Sequence, residues 1–184
     1  LRGLRDKVQI VFQDPYRSLN PRRTIADALI EGPMNFGVSR ADAMARARSL
    51  LELVRLDASA LTGFPPQFPG GQRQRICIAR ALAMEPELLI ADEAGSALDG
   101  SVQAQVLRLL ADIRGRLDLA MLFITHDLRV AAQVCDEVAV MSKGRVVEHG
   151  PASQVFRSPQ HAYTKALFDA APGRGFEFGV REAA

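Results

Sequence analysis

The order of secondary-structure elements is clearest between Pro69 and Asp99, where the sequence is PGGQRQRICIARALAMEPELLIADEAGSALD. A glycine pair opens an arginine-rich helical pattern, and Pro86 breaks it. The apolar run at 88–91 follows this breaker and is too short for a buried helix, so we interpret it as a buried parallel strand. A helix, a breaker and a buried strand in this order predict an α/β fold with a mainly parallel sheet.

Two acidic residues, Asp92 and Glu93, follow this predicted strand directly. Sites in open α/β sheets lie at the carboxyl ends of strands, and neighbours on a strand point in opposite directions. One acid could therefore hold Mg²⁺ while the next faces a water. For LLIADE alone, a buried strand ending in solvated acids is an equally good interpretation. The flanking GGQRQR and SALD segments favour a functional site, because Gly70 and Gly71 present N–H groups to an anion at a helix start.

These segments resemble the nucleotide-binding domain of ABC (ATP-binding cassette) proteins. PGGQRQR resembles the ABC signature, LLIADE resembles the Walker B strand, and the SALD segment at 96–99 resembles the D-loop. VFQDPYRSLNPR resembles the Q-loop of the branch that imports dipeptides, oligopeptides and nickel, and SPQHAYTKAL resembles the C-terminal extension of that branch. The resemblance covers nearly the whole chain.

The resemblance implies a partial P-loop NTPase (RecA-like) core, an all-helical subdomain and a short C-terminal helical extension. We expect four parts: the core strand with the Q-loop, the helical subdomain with the signature helix, the core with Walker B, D-loop and switch histidine, and the extension. Their expected ranges are 1–13, 14–85, 86–150 and 151–184. We predict one mainly parallel sheet from the strands at 7–12, 88–91 and 120–125.

Local patterns predict the remaining elements. A short helix at 24–31 should be stopped by Gly32-Pro33, and Ser39 with Asp42 should open a helix that runs to about Leu56. The signature helix should run from about Gly70 to Met84. A helix at 101–117 should carry Val102, Val106, Leu109, Ile113 and Leu117 on one side. Lys143-Gly144 predicts a tight hairpin turn between strands at 137–141 and 145–148, after a helix at 128–134. Residues 173–184 should be frayed or disordered.

The resemblance also implies roles for the residues that match the catalytic motifs. Asp92 would hold Mg²⁺ through water, and Glu93 would act as general base or polarise the attacking water. Gln13, in the Q-loop, would touch Mg²⁺ and this water. His126 matches the switch histidine that touches the γ-phosphate. A lone glutamine or histidine at a strand end is usually structural, and only the flanking motifs favour the functional interpretation.

A second group of residues would face the partner subunit, since the family sandwiches two ATP molecules between two such domains. Gly70, Gly71 and Gln72 would face the partner's ATP, and Asp99 would face the partner's D-loop. Pro69 stands where the family normally has a serine that gives a hydroxyl and an N–H to the γ-phosphate. Proline has neither group to give, although it is tolerated in the first turn of a helix.

Two further features depart from the family pattern. Ala94-Gly95 replaces the usual Pro-Thr, which should make the loop after Walker B more flexible. No G-x-x-x-x-G-K-[ST] phosphate-binding motif occurs in the sequence. The chain also starts at Leu1 and opens almost directly into a strand. We therefore expect a fragment or a truncation product that by itself neither binds nor hydrolyses ATP.

The predicted function is that of an ATP-binding and ATP-hydrolysing subunit, or a fragment of one, of an ABC transporter that imports peptides or similar small solutes. Its cofactors would be ATP and Mg²⁺. Its partners would be a second ABC ATPase subunit in a homodimer or heterodimer, transmembrane permease subunits through the Q-loop region, and indirectly a solute-binding protein. It would lie peripherally on the cytoplasmic face of the inner membrane.

The sequence is also compatible with two other functions. The chain could be a non-catalytic ABC-type protein that acts only through subunit interaction, or a degenerate gene product. Soluble ABC ATPases of DNA repair or translation form a third class. The importer-like Q-loop and HAYT tail disfavour that class, and the net charge of +2 gives no support for a nucleic-acid partner.

Composition narrows the remaining possibilities. The 184 residues are 48% hydrophobic and 24% charged, as in ordinary globular domains, and no apolar run reaches the length of a membrane span. Cys77 and Cys135 form no CxxC pair and should be reduced core thiols. Some relatives carry an iron–sulfur cluster in the extension, but no cysteine follows Cys135, so we predict no cluster here.

Overall fold

Three parallel strands form the sheet that carries the predicted site. The computed structural model describes residues 2–96 and 98–170, and it contains β1 (Val8–Val11), β2 (Leu88–Asp92) and β3 (Ala120–Ile124) in the spatial order β1-β2-β3. Val11 pairs with Ala91, and Asp92 pairs with Ile124. The prediction of a single parallel sheet from these three strands is confirmed.

Helices connect these strands, as parallel pairing requires. Between β1 and β2 lie α1 (Pro15–Ser18), α2 (Ile25–Asn35), α3 (Arg40–Leu53) and α4 (Gly70–Leu82), with short 3-10 turns at Ala58–Thr62 and Pro65–Gln67. Between β2 and β3 lies α5 (Gly100–Leu117). The helices share one apolar core, in which the following side chains are fully buried: Ile25, Leu29, Leu51, Ile76, Ile78, Leu110 and Ile113.

The prediction that Gly32-Pro33 stops the second helix is wrong. α2 continues through Pro33 to Asn35, and the chain then turns at Gly37, which has a φ of +92°. Pro33 lies in the last turn, so it removes only the hydrogen bond that its N–H would donate to the carbonyl four residues earlier, and the helix continues for two more residues. The helix ends before Gly37, where the left-handed conformation favours glycine.

Two other helices end slightly earlier than predicted. α3 stops at Leu53 rather than about Leu56, and α4 stops at Leu82 rather than about Met84. In both cases a charged residue just after the helix adopts a positive φ, which is +60° at Arg55 and +51° at Glu85. These left-handed residues terminate the helices without the glycine that normally signals such an end.

The two faces of the sheet differ in burial. Val11, Leu89 and Ala91 lie on the covered face and are at most 1% exposed. On the other face, the side chains of Ile10, Leu122 and Ile124 are 40–49% exposed. The connections from β1 to β2 and from β2 to β3 step in the same direction across the sheet. Crossovers between parallel strands are right-handed as a rule, and two that step the same way place their helices on one side of the sheet.

The predicted apolar side of α5 is mostly correct. Val106, Leu109 and Ile113 are buried against the core, and Val102 is half-buried. Leu117, at the C-terminal end of this side, is 49% exposed. It occupies the last position of α5, just before Asp118, which turns the chain with a φ of +47°.

The described residues from Thr125 to Ala170 form a second compact unit, and the first unit ends at Ile124. It contains α6 (Leu128–Val134), the antiparallel hairpin of β4 (Glu137–Ser142) and β5 (Arg145–Pro151), α7 (Ala152–Arg157) and α8 (Ala162–Ala170). The predicted α6 and hairpin are confirmed, and Lys143 and Gly144 make the turn with φ values of +50° and +75°. The predicted disorder at 173–184 lies outside the described residues.

The second unit has a small core of its own. The rings of Phe156 and Phe168 stack with centroids 5.1 Å apart and join α7 to α8. The Glu148 carboxylate accepts hydrogen bonds from the amides of Gln160 and His161 just before α8, at 2.7 and 3.1 Å. These bonds, led by that from Gln160, hold the pKa of the Glu148 carboxyl below its usual value. The helical extension is thus fastened to the hairpin.

Candidate functional site

The two predicted acids lie at the carboxyl end of β2, but they do not alternate as strand neighbours would. Asp92 is the last strand residue, whereas Glu93 leaves the strand with a left-handed φ of +47°. The Glu93 amide donates to the Ile124 carbonyl at the end of β3, at 2.8 Å. The backbone direction at Glu93 is therefore set by this turn and not by the strand pleat.

The loop after Glu93 is a tight turn. The Ser96 amide donates to the Glu93 carbonyl at 2.9 Å, and the Leu98 amide donates to the Gly95 carbonyl at 3.0 Å. Gly95 has a φ of +104°, a conformation that side-chain-bearing residues rarely adopt. Glycine at position 95 therefore permits the observed turn. This role is more specific than the greater loop flexibility that the Ala94-Gly95 pair predicts.

A hydrogen-bonded bridge connects the ends of β1 and β2. Gln13 Nε2 donates to Ser96 Oγ at 3.0 Å, and Ser96 Oγ donates to Glu93 Oε2 at 3.3 Å. The structure thus brings Gln13 and Glu93 to one hydroxyl. The sequence places Ser96 only within the D-loop-like segment. Its position three residues after Glu93 is the one signal that could have suggested this contact.

The start of α4 lies beside the start of α5. A Cβ added to Gly71 would clash with Val102 Cγ1, and one added to Gly70 would come within 3.2 Å of Leu98 Cδ2. Gly71 therefore has a packing reason to lack a side chain, besides any contact with an anion. Asp99 is the N-cap residue of α5, and its carbonyl accepts from the Val102 amide at 2.9 Å. The predicted signature and D-loop residues are neighbours.

Pro69 is the N-cap residue of α4, one position before the first helical residue. It cannot accept a hydrogen bond with its side chain, so it leaves the first amides of the helix without the cap that serine would supply. The predicted start of the helix at about Gly70 is confirmed, so Pro69 is the residue before the first turn. Gln72, in the first turn, is exposed.

Polar contacts join α4 to the segment that follows β1. Gln74 is completely buried, and its Nε2 donates to the Phe12 carbonyl at 3.4 Å. The Arg73 guanidinium lies 4.0 Å from the centre of the Tyr16 ring, a cation–π contact, and Arg80 donates to the Ser18 carbonyl. No motif in the sequence predicts these contacts. A glutamine on the apolar side of α4 is the only sequence signal for the first contact.

His126 belongs to the second unit, directly after Thr125. The neighbouring Asp127 is the N-cap of α6, and its carboxylate accepts from the Arg129 amide and guanidinium at 2.9–3.2 Å. The hydrogen bond from the Arg129 side chain holds the pKa of the Asp127 carboxyl below its usual value. The Asp127 amide donates to Thr125 Oγ1 at 3.0 Å, so the residues on both sides of His126 are fixed.

The oxygen donors at the sheet edge suit Mg²⁺ better than a transition metal. Mg²⁺ is bound through one or two carboxylates together with waters and phosphates, and Asp92 and Gln13 offer a carboxylate and an amide oxygen. Within residues 2–96 and 98–170, no group of three or more His, Cys, Asp or Glu side chains is arranged to hold a metal ion. The donors present fit a magnesium ion that keeps most of its ligands from water and nucleotide.

Two further properties concern the described part of the chain. Burial raises the pKa of the Cys77 thiol to about 11, and both Cys77 and Cys135 are free. None of the helices in residues 2–96 and 98–170 combines the length and apolar character that a membrane crossing requires.

Comparison with known proteins identifies relatives of this chain. The family model of the ABC transporter matches residues 1–96. The chain is 47% identical over 173 residues to a proposed peptide import ATP-binding protein of Brucella ovis, covering 94% of this chain and 55% of that protein. It is 49% identical over 173 residues to a glutathione import ATP-binding protein of Escherichia coli K12, covering 28% of that protein.

A solved structure is similar as well. cbiO1 from Clostridium perfringens, part of the ABC transporter complex cbiONQ, superimposes with a TM-score of 0.77 at 29% identity. The match covers 85% of this chain and 62% of that one. The chain spans about half the length of the first of these curated relatives, and the predicted α/β P-loop NTPase fold is confirmed.

Proposed function

Because the chain belongs to the ABC transporter family, within its ATP-binding components, we propose that it forms the part of an importer ATPase that places the attacking water. The observation that carries this proposal is the meeting of Gln13, Ser96 and Glu93 at one edge of the parallel sheet. Catalytic groups of open α/β folds gather at this edge. The glycine start of α4 lies next to the D-loop-like segment of the same unit.

The proposed roles follow from the chemistry of these groups. Glu93 takes a proton from the attacking water or polarises it, and Gln13 orients the same water. Asp92 and Gln13 would hold Mg²⁺, whose charge would neutralise the phosphate oxygens as the γ-phosphate leaves. For His126, which lies in the second unit, a contact with a γ-phosphate is proposed from the motif match alone.

The exposed start of α4 suits the second ATP of a two-subunit assembly. Gly70, Gly71 and Gln72 offer amide and side-chain donors, and the N-terminus of a helix favours an anion. Asp99 is exposed beside them and would meet the D-loop of the partner ATPase subunit. A homodimer and a heterodimer both satisfy this geometry.

The segment after Gln13 suits a membrane partner. Tyr16 is 62% exposed although it is aromatic, and it lies on α1 directly after the Q-loop-like strand end. We propose that this surface meets the permease subunits, on the cytoplasmic face of the inner membrane, and that a solute-binding protein acts through them. Peptides or similar small solutes are the proposed cargo, supported by the import proteins to which the chain is similar.

The domain ranges remain proposals as well. Residues 1–13 and 86–150 would form the core, 14–85 the helical subdomain, and 151–184 the extension. Helices and 3-10 turns alone occur in the described residues from Pro15 to Leu82, which supports the second range.

A second candidate is a non-catalytic chain that acts only through subunit contacts. It is favoured by the sequence itself, which has no G-x-x-x-x-G-K-[ST] motif to cradle phosphates. Under this proposal Gln13, Asp92 and Glu93 would keep their positions in the fold but would have no bound nucleotide to act on.

Nucleotide binding and turnover separate the two candidates. We expect this chain to show neither ATP binding nor hydrolysis at physiological ATP concentration. The product of the same reading frame extended through its upstream coding sequence should show Mg²⁺-dependent hydrolysis that Glu93→Gln abolishes. If the extended product encodes no phosphate-binding motif and remains inactive, the non-catalytic candidate stands.

A further inference from the structure

A single hydroxyl lies between the two side chains proposed to handle the attacking water. Gln13 Nε2 donates to Ser96 Oγ at 3.0 Å, and Ser96 Oγ donates to Glu93 Oε2 at 3.3 Å. We propose that Ser96 is a positioning residue that couples Gln13, after β1, to Glu93, after β2. Its effect on turnover rests on the proposed function, whereas the coupling itself is a property of the fold.

The chemistry of this position requires a hydroxyl. The oxygen of serine or threonine accepts one hydrogen bond and donates another, so it can stand between an amide donor and a carboxylate acceptor. An alanine would leave both Gln13 and Glu93 without this partner. A threonine keeps the oxygen and its bonding capacity, so it serves as the conservative variant.

The turn after β2 holds this hydroxyl in place. The Ser96 amide donates to the Glu93 carbonyl at 2.9 Å, while Glu93 itself has the left-handed φ of +47°. Ser96 therefore contacts Glu93 through both its backbone and its side chain. The loop thus helps to orient the carboxylate through a residue only three positions further along the chain.

The other end of the bridge is anchored in the helical segment. Gln74, fully buried on α4, donates to the carbonyl of Phe12, the residue before Gln13. A path of polar contacts thus runs from α4 through residues 12 and 13 to Ser96 and Glu93. A displacement of α4 relative to β1 would act on Gln13 and, through Ser96, on Glu93.

Loss of the bridge should affect the chemical step more than nucleotide affinity. A general base must lie within hydrogen-bond reach of the proton that it takes, so a misplaced carboxylate lowers turnover. In the full-length protein, Ser96→Ala should lower kcat about threefold to tenfold, the value of one weakened hydrogen bond. KM for ATP should stay unchanged, and Ser96→Thr should restore kcat.

Ser49→Ala is the matched control. Ser49 is exposed on α3, and within the described part of the chain its hydroxyl donates to the Ala45 carbonyl at 3.5 Å. This control should leave kcat and KM unchanged. A wild-type protein that hydrolyses ATP, with Ser96→Ala at the wild-type kcat, would overturn the positioning role while leaving the proposed function intact.

A second measurement does not depend on ATPase activity. In the chain itself, Ser96→Ala should speed amide hydrogen exchange at residues 93–96 and next to Gln13, and Ser96→Thr and Ser49→Ala should not. Faster exchange in Ser96→Ala, together with a full-length wild-type protein that does not hydrolyse ATP, would support the bridge and refute the proposed function. Unchanged exchange at both segments would refute the bridge.

Discussion

The backbone of Glu93 adopts a conformation that a residue with a side chain seldom takes. A left-handed residue of this kind costs about 1–2 kcal/mol, and two hydrogen bonds offset this cost. The Glu93 amide donates to the Ile124 carbonyl, and its own carbonyl accepts from the Ser96 amide. An uncommon conformation at a sheet edge, held by long-range and local contacts together, is typical of positions that must present a side chain where chemistry occurs.

Pro69 offers the most direct test of the α4 start. As the N-cap residue, Pro69 has no side-chain acceptor for the first amides of the helix. Pro69→Ser should therefore have an unfolding free energy about 1 kcal/mol higher than that of Pro69→Ala. Pro69→Ala is the reference because both variants lose the proline ring. The unfolding free energies of the two variants, from urea denaturation, give this difference. Equal values would show that the serine hydroxyl does not reach the helix amides.

The same pair of variants tests the contact with nucleotide. If position 69 faces the ATP bound by the partner subunit, Pro69→Ser should raise turnover of the full-length protein about tenfold or more, as expected for one charge-assisted hydrogen bond. Pro69→Ala should not. In a natural heterodimer with one weak site, turnover would stay nearly flat. No gain in either assembly would exclude the placement of residue 69 against phosphate.

The start of α6 shows how a short element depends on one side chain. Asp127 caps the helix and pairs with Arg129, and this pairing lowers the pKa of its carboxyl. A lowered pKa means that ionised Asp127 stabilises the fold above its unfolded pKa, about 3.9. This contribution is lost as the pH falls through the lower pKa of the folded state.

We therefore expect Asp127→Ala to lower the unfolding free energy by about 1–2 kcal/mol at pH 7. Asp127→Asn keeps an N-cap acceptor but loses the ion pair, so its stability should lie between those of Asp127→Ala and the wild type. Urea denaturation at pH 7 and at pH 3 measures both effects. The stability difference between the wild type and Asp127→Asn should shrink at pH 3, and a difference independent of pH would contradict the role of the carboxylate charge.

At the scale of the whole molecule, the sheet of residues 1–124 presents an apolar face. Ile10, Leu122 and Ile124 lie on this face and remain 40–49% exposed. Parallel sheets are normally covered on both faces, and exposed apolar patches promote association. We expect this chain to self-associate in solution as its concentration rises.

Leu122→Gln should reduce this association, which sedimentation velocity over a range of concentrations measures directly. Val146→Gln is the control, because Val146 is 56% exposed on β5 and does not belong to the sheet of β1–β3. A monodisperse, cooperatively melting monomer of the unmodified chain would contradict the prediction. So would equal effects of the two substitutions.

Some features of the molecule follow from the sequence alone because neighbouring residues decide them. The apolar runs before Gln13 and Asp92 predict their strands, and the cap of α3 by Ser39 needs only the amide of Asp42, three residues later. The turn at Lys143-Gly144 is equally local. Motif resemblance adds the expected site residues, whose roles remain proposals.

Other features depend on residues far apart in the chain, so only the tertiary structure decides them. The continuation of α2 through Pro33 and the exposure of Leu117 depend on what packs around each position. The bond from Gln13 to Ser96 spans 83 residues, and that from Gln74 to Phe12 spans 62. No local rule brings such partners together, because their distance is set by the register of the parallel strands and by the packing of α4 beside them.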